Sequence, residues 1–90
     1  MRNKESKRFE LTRPNGVRPP NLGNGEATVV YMCLESDGAK PKTFDELIQE
    51  AKRRKLSALF KTPTATTIPE SLNYWLTRFH KDGWIRVTDI

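Results

Sequence analysis

The side chains equipped to act on a partner are mostly cations, and they are unevenly spread. Lys52-Arg53-Arg54-Lys55 is the densest run, and Lys61 follows shortly after it. Residues 1–25 hold six Lys or Arg against two Glu, net +4, residues 26–50 hold two against six, net −4, and residues 51–90 hold eight against three, net +5. A basic N-terminal stretch and a basic C-terminal half suit a polyanion, nucleic acid above all. The same charge also keeps many small domains soluble. Catalytic chemistry is sparse by contrast. His80 and Cys33 are each the only residue of their type, so no Ser-His-Asp or Cys-His set forms without using both. Gly23-Asn24-Gly25 lacks the following Lys and the preceding strand of a phosphate loop. Asp45, Glu46 and Glu50 lack metal-ligand spacing and fit a helix surface. No enzymatic activity, cofactor or metal site is expected.

The elements that must position these cations fit one small domain. Of the 90 residues, 36% are hydrophobic and 30% charged, as in a globular chain. The longest apolar run, Val29 to Leu34, is far short of the ~20 residues that span a bilayer. No apolar stretch follows the charged Met1–Glu5 start, so no secretory signal and no membrane partner are expected. One cysteine rules out an internal disulfide framework, and a cytoplasmic location is the simplest expectation. Cys33 is expected to behave as a small buried hydrophobe.

Composition divides the chain near residue 25. Residues 1–25 carry Pro14, Pro19, Pro20 and three glycines with few apolar side chains, which predicts a basic, largely extended or disordered arm. Within it Arg8-Phe9-Glu10-Leu11-Thr12 alternates, with Phe9 and Leu11 on one side, and forms a short strand if a partner is available. Asn15-Gly16 suits a turn.

Three helices are predicted over residues 26–90. From Glu26 to Ser36, Ala27, Val30, Tyr31 and Leu34 follow helical spacing, and Asp37-Gly38 stops the run. A strand over Thr28–Tyr31 is the rival reading, because those residues favour β structure. Thr43-Phe44-Asp45-Glu46 is a capping box leading into the apolar stripe Phe44, Leu47, Ile48 and Ala51. Asp45 and Glu46 in its first turn and Lys52–Lys55 in its last also complement the helix dipole. Thr67-Ile68-Pro69-Glu70 reads as a second capping box, with Pro69 tolerated in the first turn. Leu72, Trp75, Leu76 and Phe79 then share one face, and Asp82-Gly83 ends the helix. Trp75 and Trp84 flank that apolar face and are expected in the core. Ile85-Arg86-Val87-Thr88 alternates as a strand. The fold class is therefore mainly α with a small β element, an α+β domain.

This order of elements resembles a winged helix-turn-helix domain. The resemblance rests on Thr43-Phe44-Asp45-Glu46-Leu47-Ile48, on Leu72 through Phe79, and on Asp82-Gly83-Trp84-Ile85 entering a strand. It implies a three-helix core with a C-terminal wing strand. The connection before the third helix is longer than the usual helix-turn-helix turn of about three to four residues. A single wing strand follows that helix, and the Phe9–Leu11 island or the Ala39–Lys42 segment is expected to pair with it.

The resemblance further implies duplex DNA as partner, with the third helix, about 67–82, in the major groove. Its outward side chains would be Asn73, Tyr74, Thr77 and Lys81, with Arg78 at the margin. Asn73 suits adenine, Arg78 suits guanine, and Thr77 suits a thymine methyl or a phosphate. Lys52, Arg53, Arg54, Lys55 and Lys61 would meet phosphates, as would the basic arm. The same helix face also fits ordinary solvation. The alternative is a protein-protein adaptor or homodimerisation module on the same scaffold, which an exposed apolar patch at Leu56, Leu59 and Phe60 would favour. With DNA as partner, the location becomes the nucleoid.

Overall fold

In the computed structural model, residues 7–13, 18–20, 22, 23 and 25–89 are described. The turn expected at Asn15–Gly16 and the first six residues of the arm lie outside them. The chain order is β1 (Lys7–Leu11), α1 (Glu26–Ala39), β2 (Lys42–Thr43), α2 (Phe44–Arg53), a 3-10 turn (Leu56–Leu59), α3 (Thr67–Lys81) and β3 (Ile85–Asp89). Three helices and a three-stranded antiparallel sheet make a small α+β fold.

The sheet order is β2-β1-β3, so the N-terminal strand is central. Phe9 lies opposite Val87 and Leu11 opposite Ile85, while Phe9 also faces Lys42 of β2. The alternation seen in the sequence sets this register. Phe9, Leu11 and Ile85 turn into the core, and Arg8, Arg86 and Thr88 turn to solvent. Arg86 pairs with Glu10 directly across at 3.1 Å, and Lys7 pairs with Asp89. The island at Phe9–Leu11 is thus the partner of the C-terminal strand, and residues 7–11 belong to the core and not to a peripheral arm.

Residues 26–35 are helical, which settles the helix-or-strand choice. Ala27, Val30, Tyr31, Cys33 and Leu34 are buried because α1 packs against the sheet and both other helices. Tyr31 meets the rings of Phe79 and Trp84 edge-on, at 5.6 and 6.5 Å. Helical geometry stops at Ser36, and Asp37, Gly38 and Ala39 all take positive φ. Lys42 holds this turn. Its ammonium, 3% exposed as a residue, donates to the carbonyls of Leu34 (3.2 Å), Ser36 (2.5 Å) and Lys40 (3.1 Å). These carbonyls, left over at the end of α1, are thereby satisfied. Burial pushes the Lys42 ammonium below its ordinary pKa.

The first capping box forms as expected. The Thr43 hydroxyl accepts from the Glu46 N–H at 3.1 Å, and the Glu46 carboxylate accepts from the Thr43 N–H at 2.8 Å. The second does not. The cap position is Thr66, and Thr67 is the first residue of α3. The Thr67 hydroxyl instead accepts from the Thr64 N–H at 2.7 Å, and Glu70 accepts from the Thr66 hydroxyl at 2.8 Å. Four threonines between residues 62 and 67 compete for the same role, so local hydrogen bonding shifts the start by one residue. At the other end, Gly83 takes φ +80, and the N–H groups of Gly83 and Trp84 close back on His80 and Phe79. That is a Schellman end, which needs the left-handed residue the glycine supplies.

Candidate nucleic-acid interface

α3 buries Ile68, Ser71, Leu72, Leu76 and Phe79 and leaves its other side in water. Helical periodicity then puts Asn73, Tyr74, Thr77, Arg78 and Lys81 outward together. All five are exposed, and with Asp82 they border one open depression. Tyr74 is 55% exposed. Arg78 donates to the Tyr74 phenol oxygen at 3.1 Å, and its guanidinium lies 6.0 Å from the Trp75 ring centre. Trp75 is half-buried and turns its indole N–H toward Glu26, which also accepts from the Ser71 hydroxyl at 2.9 Å. Trp75 therefore anchors α3 to α1, while Tyr74 and Arg78 stand above it at the surface.

The sequence reading of this face left out two side chains. Glu70 is exposed, four residues before Tyr74 and seven before Thr77, so it shares their side of the helix. Asp82 borders the same depression. Helical spacing carried through to residue 70 would have found the first. Together they balance Arg78 and Lys81, so this face is mixed in charge and not uniformly cationic.

The second predicted group lies elsewhere. Lys52 lines a groove with Ser57, Thr64 and Pro69, at the N-terminal end of α3, whereas Arg78 and Lys81 sit at its C-terminal end. The two groups are separated by the length of α3, about 20 Å at 1.5 Å per residue. Lys52, Arg53, Lys55 and Lys61 are exposed and Arg54 is half-buried. Arg53 and Arg54 both close on Glu50, with Nε contacts of 3.1 and 2.8 Å. These bonds, Arg53 first, hold the Glu50 carboxyl below the usual carboxylate range. The two arginines are therefore already paired, Arg53 from an exposed position and Arg54 from a half-buried one. From Glu50 to Lys61 five cations face one carboxylate, net +4, the densest positive stretch of the described chain.

Leu56 belongs to the core at 0% exposure, so the apolar patch that would favour an adaptor is reduced to Leu59, 48% exposed, and half-buried Phe60. Cys33 is also fully buried, and burial pushes its thiol up to about 11. Arg13 places its guanidinium 4.5 Å over the Trp84 ring, and Arg18 pairs with Glu35 at 2.6 Å. These two contacts fix described parts of the arm to the domain. Among the described residues, no group of three or more His, Cys, Asp or Glu could hold a metal ion. No helix of the described chain is long and apolar enough to cross a membrane.

Comparison with protein families, with curated proteins and with solved structures finds no match.

Proposed function

We propose that this protein binds duplex DNA, with α3 as the element that enters the major groove. One observation carries the reading: the five outward residues expected of a recognition helix share a single exposed face, while the apolar stripe behind them is buried. The sheet departs from the winged-helix pattern, because the strand beside β3 comes from the N-terminal side of the helices and not from a second wing strand.

The charge pattern divides the labour. The face of α3 is electrically balanced, so it contributes little attraction to phosphate. The Glu50–Lys61 stretch at the far end of α3 supplies the phosphate contacts, and Asn73 and Arg78 supply base contacts. The location that follows is the cytoplasm, at the nucleoid. A protein adaptor has less support, since Leu56 is withdrawn into the core.

Fluorescence anisotropy with short labelled duplexes tests this division. Charge reversal at Lys52, Lys55 and Lys61 is expected to weaken binding to all sequences alike and to flatten the dependence on salt. The log-log salt slope should fall by about 0.9 for every phosphate that a reversed side chain no longer neutralises. Asn73→Ala and Arg78→Ala are expected to relax preference at single base pairs by about 1–3 kcal/mol each, with little change in salt slope. Absence of binding at low salt overturns the proposal.

A further inference from the structure

The outward face of α3 is complementary to itself. Glu70, Tyr74, Thr77 and Lys81 follow the alternating four- and three-residue steps of a heptad seam. Asn73 and Arg78 flank it, one on each side. All six are exposed. A second copy laid antiparallel across this seam pairs Glu70 with Lys81 and Tyr74 with Thr77, while each flanking residue comes opposite its own counterpart. Both pairings share one centre, between Trp75 and Leu76, as a two-fold axis demands. Parallel alignment instead sets Glu70 against Glu70 and Lys81 against Lys81, which is repulsive.

We infer that α3 is the isologous interface of a weak homodimer, in which a second copy of this chain packs antiparallel on the Glu70–Lys81 seam. Charge complementarity selects the occupant and its direction. Tyr74 sits next to the axis and gives the contact an aromatic centre. The contacts within one chain are compatible with it. Glu70 uses one carboxylate oxygen for the Thr66 hydroxyl, and Arg78 uses one N–H for the Tyr74 oxygen. Further lone pairs and N–H groups remain on both. The seam runs about 16 Å along the helix. A single helix pair of that length buries less than the ~1,200–2,000 Å² of a stable interface, so dissociation on the order of 100 µM is expected. The face is also the one proposed to meet DNA, so self-association and duplex binding compete. The inference does not depend on that reading.

Sedimentation velocity on the full chain, from about 10 µM to 1 mM at low and high salt, tests it. The wild type is expected to move from monomer to dimer across this range, and more salt is expected to weaken the dimer. Glu70→Lys and Lys81→Glu each place like charges together at two symmetric positions, and each is expected to weaken association about tenfold or more. The double variant Glu70→Lys/Lys81→Glu is expected to restore it. Thr77→Arg, at an exposed site beside the axis, is expected to abolish it without altering the far-ultraviolet circular dichroism. A wild type that stays monomeric throughout, or a charge swap that fails to restore the dimer, overturns the inference. A monomer that still binds duplex DNA leaves the DNA reading standing. A charge-swappable dimer whose monomer ignores DNA removes that reading alone.

Discussion

Truncating Phe9 tests whether the N-terminal strand is part of the fold. Phe9 is 0% exposed on the central strand of the sheet and packs on Phe44 with ring centres 6.3 Å apart. Phe9→Ala removes a whole ring from a packed interior, and such changes cost about 3–5 kcal/mol. A domain of this length is worth only about 5–13 kcal/mol in total. The variant should lose a large share of its stability, and its urea midpoint should fall by roughly 2 M at the m-values of small proteins. Urea titration followed by circular dichroism reads this directly. Arg8→Ala, on the solvent side of the same strand, is the control and should stay within about 0.5 kcal/mol of wild type. A Phe9→Ala midpoint indistinguishable from wild type would mean that β1 is not a structural strand.

Two further outcomes follow from ionisable groups. Cys33 is buried and its thiol is pushed up to about 11, so at neutral pH it is expected to react with thiol reagents only as fast as the protein unfolds; rapid stoichiometric labelling of the native protein contradicts its placement. Glu46 and Glu50 are both held below their ordinary pKa of 4.5, Glu46 chiefly by the Thr43 backbone N–H and Glu50 chiefly by Arg53. Folded values below unfolded ones mean that their stabilisation is present above about pH 4.5 and is lost as pH falls through the folded values. Thermal melts between pH 6 and 2 are therefore expected to show a modest acid loss, smaller in Glu46→Gln and Glu50→Gln; a loss unchanged in both variants refutes the assignment.

Local signals carried most of the fold. The Thr43–Glu46 box, the Asp82-Gly83 stop and the alternation at Phe9–Leu11 and Ile85–Val87 each act through a few neighbouring residues, and each forms as the residue types dictate. What was not legible depends on distant partners. Lys42 reads as a surface cation, yet it is buried because three carbonyls around the end of α1 need a donor. Leu56 reads with Leu59 and Phe60 as part of a candidate surface patch, but the left-handed Lys55 turns the chain back and drives it into the core. At α3 the outward residues were readable from helical spacing. The pairing of Arg53 and Arg54 with Glu50 was readable too, from their three- and four-residue separations. Glu70 and Asp82 were visible in the sequence, but their effect on the face emerges only when the charges along its length are set side by side.

The most direct measurement of the central claim is a nitrogen-15 chemical-shift titration of the full chain with a short DNA duplex at two salt concentrations, run well below the concentration at which self-association is expected. The expected result is a set of salt-sensitive shifts at Asn73–Lys81 and between Lys52 and Lys61, with Phe9, Val30 and Leu47 unmoved. Silence across α3 at low salt, or shifts confined to the opposite side of the domain at Arg86 and Thr88, would contradict the claim that α3 is the face that meets DNA.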